Sequence, residues 1–215
     1  GTGGVPLPTQ PVIQLLDAGY NDATTSSSVV NLTLVSPTAT MCPPLSLCTL
    51  EVAAEFGQAS FAGRGVNIDK TGTYQITAFI TSPVYAEALS ENITIVDGPA
   101  ADLDFWLQPA DGTGGLDLAP QPVVHVVDKG GNVATSSSHH IILSLVDPAS
   151  VEGTIVPATT SLTGKTDKYA VAGVATFPSD NADQSLAVNP VGSYALRATA
   201  TGTTFVGLSA AFVIS

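Results

Sequence analysis

Three histidines are the side chains in this sequence most suited to act as catalytic bases or metal ligands. His125 lies in the middle of an apolar segment, and His139 and His140 follow a run of serines. Nucleophilic catalysis would need a serine or cysteine beside an oriented base, and no such motif surrounds any of the three. Adjacent side chains on a strand point to opposite faces, so one metal ion would not easily use both His139 and His140. We therefore predict no catalytic residues and no enzymatic activity.

A group of aspartates could supply oxygen ligands to calcium. Asp97, Asp102 and Asp104 lie close together near the middle of the chain, and Asp102 and Asp104 share one face of a predicted strand. No Asp-x-Asp-x-Asp loop and no bidentate glutamate follows them. Alternate acidic residues also form the solvent face of ordinary strands. The three remain candidate calcium ligands, and no cofactor is predicted.

The only two cysteines, Cys42 and Cys48, are separated by a short Pro-rich and Leu-rich stretch. A disulfide between them is the natural interpretation, and closing so short a loop would contribute about 2 kcal/mol on the chain-entropy model. The alternative, two thiolates on a metal, lacks further ligands because all the histidines lie in the other half of the chain. A disulfide indicates an oxidising compartment.

Two Asn-x-Thr sequences, at Asn31 and Asn92, are acceptor sites for N-linked glycans. Together with the disulfide they predict an extracellular or cell-surface location. The Thr/Ser-rich segments 24–28 and 135–138 suit O-linked glycans and equally suit solvated turns.

The composition excludes several partners. Only 11% of the residues are charged, and the formal net charge of −12 would repel nucleic acid and anionic lipid alike. No apolar run is long enough to span a bilayer, so neither nucleic-acid binding nor membrane insertion is predicted.

The chain contains a duplicated module. The tetrapeptide Gly-Thr-Gly-Gly at residues 1–4 recurs at residues 112–115, and residues 1–35 match 112–146 at 18 positions. Self-similarity of this kind is typical of tandem domains.

The two copies differ in what precedes them. Residues 98–111 stand before the second copy, and no counterpart stands before the first. We therefore predict a first domain at residues 1–97 that lacks its first strand and a complete second domain at residues 98–215.

Almost every segment has the pattern of a short strand, with apolar and polar residues in alternation, and is bounded by Gly, Pro, Asp or Asn. This pattern predicts an all-β fold. Gln14 and His125 take the same position in the two copies and are expected to face solvent. The same alternation turns Asn31 and Asn92 outward. The residues predicted to face the cores are Ile13, Leu15, Val30, Leu32, Leu34, Tyr74, Ile76, Ile93 and Ile95 in the first copy and Val124, Val126, Ile141, Leu143, Leu145, Tyr194, Leu196, Phe212 and Ile214 in the second.

Three segments of the second copy carry a family resemblance. Residues 122–132 read Pro-x-Val-x-Val-x-Asp-x-x-Gly-Asn, residues 173–177 read Gly-Val-Ala-Thr-Phe, and residues 192–196 read Gly-Ser-Tyr-Ala-Leu. This order resembles the immunoglobulin-like repeats of bacterial and algal surface proteins, of the invasin or bacterial-Ig kind. The first copy departs from it at Tyr20, which replaces a turn glycine. The resemblance implies two tandem immunoglobulin-like β-sandwiches that serve as stalks, adhesins or filament subunits, without catalytic residues.

The strand that precedes the second copy supplies candidate interface residues. Leu103, Phe105 and Leu107 are expected to face inward, which leaves Trp106 on the solvent side. Tryptophan is enriched at binding hot spots, so Trp106 marks an interface, and packing against the neighbouring domain is the alternative.

These observations predict a structural subunit of an extracellular filament that assembles head to tail with itself by strand addition. The strand that fills the open edge of the first domain comes from a neighbouring subunit or from an upstream stretch of the same polypeptide. The alternative is an adhesin arm or stalk that binds a surface or glycan. Accessory domains of a carbohydrate-active enzyme are a third interpretation, which lacks an aromatic platform.

Overall fold

A computed structural model describes residues 1–42, 48–82, 85–148, 162–177 and 184–215. These residues form strands and turns with no helix, which confirms the predicted all-β class. No helix long and apolar enough to cross a membrane occurs in this part of the chain.

The chain divides into two compact units. The first comprises Gly1–Gly98 with Lys129–Asn132, and the second comprises Pro99–Asp128 with Val133–Ser215. We call them the first and second modules. Each has its own apolar core among the residues described.

The first module is built from short antiparallel strands. They are β1 (Val12–Gln14), β2 (Val29–Leu34), β3 (Glu51–Ala53), β4 (Gln58–Ser60), β5 (Gly72–Tyr74), β6 (Ile76–Ile80), β7 (Ala86–Leu89) and β8 (Ile93–Ile95). One sheet has the order β3-β2-β6-β7. Strand β1 pairs with β4, and β5 pairs with β8.

The second module repeats this plan with one strand more at its start. Its strands are β9 (Asp102–Leu107), β10 (Val123–Val127), β11 (His140–Val146), β12 (Leu162–Thr163), β13 (Asp167–Tyr169), β14 (Val174–Thr176), β15 (Ala187–Val188), β16 (Gly192–Ala200), β17 (Val206–Leu208) and β18 (Phe212–Ile214). A three-stranded sheet with the order β14-β10-β9 packs against a second sheet with the order β13-β11-β16-β17. Strand β18 belongs to the second sheet and pairs antiparallel with the first residues of β16. Two antiparallel sheets over one core are the plan of an immunoglobulin-like sandwich.

The predicted strand phases agree with the burial pattern. Val30 and Leu32 are buried in β2 while Thr33 is exposed, and Ile141 and Leu143 are buried in β11. Alternation with a period of two places every second side chain on the core face, so these strands form where apolar residues alternate with polar ones.

A tyrosine corner closes each module. The Tyr74 hydroxyl donates a hydrogen bond to the carbonyl of Thr71 at 2.9 Å, and the Tyr194 hydroxyl donates to the carbonyl of Val191 at 3.3 Å. Both tyrosines follow a glycine at the start of a late strand, which is where this motif occurs in sandwich domains.

The turn after β1 holds a bulky residue in a left-handed conformation. The Asp17 carboxylate accepts hydrogen bonds from the backbone N–H groups of Gly19 and Asn21, and these bonds, the one to Asn21 above all, lower the pKa of Asp17. Tyr20 has φ +63°, and Gly131 occupies the same position in the second copy with φ +72°. Left-handed φ costs a residue with a Cβ about 1–2 kcal/mol.

Replacing Tyr20 by glycine is therefore expected to raise the free energy of unfolding of the first module by about 1 kcal/mol relative to Tyr20→Ala. The comparison isolates backbone strain because both variants lose the ring, which is 86% exposed. Native-state hydrogen exchange of the β2 amides would measure the difference. Equal exchange rates in the two variants would show that the turn is not strained.

Candidate functional site: a groove in the first module

Strand β9 closes the second module along one sheet edge. It runs antiparallel to β10, with Phe105 opposite Val124 and Leu103 opposite Val126. Leu103 and Phe105 are buried in the module's own core. Two of the predicted interface residues therefore stabilise their own module, and Leu107 on the same strand is half-buried.

Trp106 faces away from the core, as the alternation along β9 predicts, and the register of β9 against β10 shifts at this point. Leu107 pairs with Val123 and Phe105 pairs with Val124, so Trp106 is an extra residue in the ladder. Its side chain is 65% exposed and stacks on His125, with ring centroids 5.5 Å apart. Burial lowers the pKa of His125, and the charge of Asp104 opposes that shift.

Strand β9 also lies directly against β17 in the opposite sheet. Gly207 of β17 is buried, and a Cβ added there would stand 2.9 Å from the carbonyl oxygen of Leu103. Only a residue without a side chain permits so close an approach of the two backbones. Strand β9 therefore fills the space between β10 and β17.

The first module has no strand in that place among its described residues. Strand β1 is the counterpart of β10. Among the described strands, β1 pairs only with β4. Val12 is 53% exposed, whereas its counterpart Val123 is 7% exposed. Ile13 is only half-buried, although the corresponding Val124 is fully buried.

Strand β7, which faces β1 across this space in the first module, is also exposed. All four residues of β7 (Ala86–Leu89) are exposed. Ala88 pairs with Ala78 of β6 as Gly207 pairs with Ala198 of β16, so Ala88 takes the place of Gly207. The sequence alignment of residues 1–35 stops short of this equivalence, although Tyr74 at the end of β5 and Tyr194 near the start of β16 mark corresponding positions.

Two cavities of about 740 and 420 Å³ lie between β1 and β7. Ile13, Ala78 and Ala88 line both, so the two cavities are adjacent, and we call the pair the strand groove. Leu15 and Tyr20 line its larger end, and other lining residues of its smaller end are Leu7, Val12, Leu89 and Ile93.

The chemistry of the strand groove suits an extended peptide. The free edge of β1 presents backbone N–H and C=O groups, and the floor presents apolar side chains at alternate positions. An added strand satisfies the backbone groups, while its own alternate side chains fill the apolar pockets. The carboxylates among the lining residues, Asp17 and Glu87, belong to the larger end.

The remaining predicted site residues lie elsewhere. Cys42 and Cys48 form a disulfide, as predicted. Asn92 is exposed just before β8, and Asn31 is half-buried on β2, where Glu51 and Phe79 flank it on the two neighbouring strands.

The candidate metal ligands do not assemble in the part of the chain that the structure describes. No three His, Cys, Asp or Glu side chains there are placed to hold a metal ion. Asp102 and Asp104 are exposed on β9, and the Asp102 carboxylate accepts a hydrogen bond from the N–H of Leu103.

The histidines other than His125 have separate local partners. His139 Nδ1 lies 2.7 Å from the hydroxyl of Ser137, and His140 Nε2 lies 2.8 Å from a carboxylate oxygen of Asp167. The His140 ring also stacks on Tyr169, with centroids 4.4 Å apart. These contacts join neighbouring strands or stabilise a turn.

Acid is expected to weaken the contact between β11 and β13. The hydrogen bond from His140, and then the one from Lys165, hold the pKa of Asp167 below its ordinary 3.8. A lowered carboxylate pKa contributes stability that is fully present above 3.8 and is lost as the pH falls through the folded pKa. The second module should therefore lose stability as the pH falls below about 4, and Asp167→Asn should reduce that loss in urea titrations. Identical pH profiles would contradict this assignment.

Comparisons with known proteins return structures but no family. No protein-family model matches the chain, and no curated protein does. A solved structure of the D00-D0 domain of Intimin is similar at 13% identity and a TM-score of 0.40, covering 100% of this chain and 96% of that one. The Yersinia pseudotuberculosis adhesin InvE is similar at 15% identity and a TM-score of 0.35, covering 95% of this chain and 53% of InvE.

A glycosyl hydrolase family 2 member from Bacteroides cellulosilyticus is similar at 9% identity and a TM-score of 0.37. The similarity covers 88% of this chain and 22% of the hydrolase. TM-scores and identities this low do not indicate a shared function.

Proposed function

We propose that this chain is a repeat of an extracellular structural protein whose modules join end to end by strand addition. The strand groove supports this proposal most directly. One module accepts a strand between β1 and β7, at the place where the second module holds β9 of its own. The proposed partner is another copy of the repeat, and a stretch of the same polypeptide upstream of residue 1 is the alternative source of the strand.

The geometry of such a contact favours linear assembly. A groove on one copy and a strand from the next are two different surfaces, so the contact is heterologous. Heterologous contacts that do not close into a ring extend into filaments. This proposal includes a surface location, for which the Cys42–Cys48 disulfide provides support.

We include N-linked glycans in the proposal and place them first on Asn92. Its side chain is exposed, whereas Asn31 lies between two paired strands and is half-buried. Peptide mass spectrometry of the natural protein would test this order. Occupancy of Asn31 alone would contradict it.

An adhesin arm is the second candidate function, and the Trp106 side chain favours it. Trp106 is 65% exposed and stacks on the half-buried His125 on one face of the second module. Exposed tryptophan is enriched at binding hot spots. The ligand would then bind to this face of the second module and would not contact the strand groove.

Sedimentation and electron microscopy over a range of concentrations separate the two candidates. The filament proposal predicts linear particles that grow with concentration, and it predicts that Trp106→Ala leaves their growth unchanged. A protein that stays monomeric at every concentration would contradict the filament proposal. Loss of binding to a glycan array in Trp106→Ala would then favour the adhesin arm.

A further inference from the structure

We infer that Trp106, His125 and Asp104, on the outer face of the second module, bind an arginine side chain that a basic segment of a partner protein presents. We call these three residues the Trp106 face. The inference rests on the second candidate function in treating this face as a binding site. It adds the chemistry of the ligand.

The exposure of Trp106 does not come from a missing strand. Strand β9 pairs with β10 and lies against β17, so the second module is closed at this point. Asp104 and Trp106 are both exposed on the outer side of β9, whereas Phe105 between them is buried in the core. The indole therefore lies on the outer face of its sheet, where a ligand reaches it from solvent.

His125 connects the other two side chains of the Trp106 face. It is the cross-strand partner of Asp104, and its ring stacks on Trp106 with an interplanar angle of 15° and centroids 5.5 Å apart. The stack holds the orientation of the indole and covers part of it, while the exposed part remains open to a ligand. An indole attracts a cation through the negative face of its ring, and a nearby carboxylate adds the attraction of opposite charges.

A second cluster in the same module shows what completes such an arrangement. There Tyr169 stacks on His140, and the Asp167 carboxylate lies 2.8 Å from Nε2 of His140 and 3.1 Å from Nζ of Lys165. An exposed aromatic ring, an imidazole and a carboxylate are thus joined by a cationic side chain of the chain itself.

The Trp106 face has no such cation on its own sheet. Strands β9, β10 and β14 contain no lysine or arginine, and Asp104 forms no ion pair with a lysine or arginine in the described part of the chain. A ligand that carries positive charge therefore completes the arrangement. The net charge of −12 likewise favours a basic partner over an acidic one.

The ligand group that fits this face best is a guanidinium. Its plane stacks on an indole, and its parallel N–H groups donate to a carboxylate in a bidentate contact. The ammonium of lysine has no plane and is more strongly hydrated. Tryptophan and arginine are also both enriched at binding hot spots, which tend to pair with each other across an interface.

The peptide acetyl-Gly-Arg-Gly-amide is a direct probe of the full chain. Its matched control carries citrulline, which has nearly the same shape as arginine and no charge. We expect the arginine peptide to shift the indole N–H resonance of Trp106, the only tryptophan, with a Kd at least about fivefold lower than that of the citrulline peptide. High salt should reduce this difference, because it screens the charge attraction. Equal affinity for the two peptides would overturn the inference.

Variants of the chain locate the peptide, and saturation-transfer NMR of the peptide follows them all. Asp104→Asn should lower the arginine affinity to that of citrulline, and Trp106→Ala should remove the binding. Tyr169→Ala is the matched control, since it removes an equally exposed ring whose cluster already contains Lys165, and it should leave the affinity unchanged. Loss of binding in Tyr169→Ala with full binding in Trp106→Ala would place the peptide at the other cluster and overturn the inference.

A neutral sugar is the alternative ligand for an exposed tryptophan. Methyl glucoside and methyl galactoside are the probes, and we expect them to bind more weakly than the arginine peptide. A sugar that binds more tightly than the arginine peptide, and loses that affinity in Trp106→Ala, would support the adhesin arm and overturn the arginine ligand.

The outcomes separate this inference from the proposed function. A chain that stays monomeric and prefers the arginine peptide would contradict end-to-end assembly and support the inference. A chain that forms linear particles but does not distinguish arginine from citrulline would support assembly and overturn the inference.

Discussion

Replacing Phe105 by alanine is expected to lower the free energy of unfolding of the second module by about 3–5 kcal/mol. Phe105 is 4% exposed and packs in the core between the two sheets. Truncating it removes buried apolar surface and leaves a cavity that the surrounding strands fill only partly. Strand β9 would then cover its sheet edge less completely.

Trp106 provides the measurement because it is the only tryptophan in the chain and follows Phe105 directly. Its fluorescence in a urea titration reports the unfolding of the second module. Asp104→Ala is the matched control, since this exposed side chain on the same strand should change stability by no more than about 0.5 kcal/mol. Similar midpoints for the two variants would show that β9 contributes little to closing the module.

Replacing Gly173 by alanine is expected to cost the second module about 2–4 kcal/mol. Gly173 has φ +78°, and an added Cβ would stand 2.6 Å from the carbonyl oxygen of Ala134. The substitution therefore combines a left-handed conformation with a clash against rigid backbone. Gly57 meets the same constraint in the first module, where the obstructing carbonyl is that of Ala23.

Gly202→Ala is the control that separates the two effects. Gly202 has nearly the same φ, +77°, and no heavy atom within 4 Å of an added Cβ. Its replacement should cost only the conformational penalty of about 1–2 kcal/mol. Trp106 fluorescence would follow both variants in urea. Equal losses at the two positions would mean that the hairpin moves away from Ala134 without cost.

Local patterns in the sequence determined much of the fold. The alternation around Val30 and Leu32 predicted which face of β2 is buried, because side chains on a strand change sides at every residue. The predicted core-facing positions of Tyr74 and Tyr194, each just after a glycine, are those of the two tyrosine corners, because that motif depends on residues a few positions apart.

Only the tertiary structure decided which residues lie opposite β1 across the strand groove. Ala88 and Gly207 belong to segments outside the aligned repeat, and their equivalence follows from how β7 and β17 pair with their neighbours. Trp106 faces outward as alternation predicts, but its stacking on His125, beside the one-residue shift of the ladder, is a contact between strands that alternation does not predict. Sheet-to-sheet distances depend on residues far apart in the chain, so the strand groove emerges only when both sheets are folded against each other.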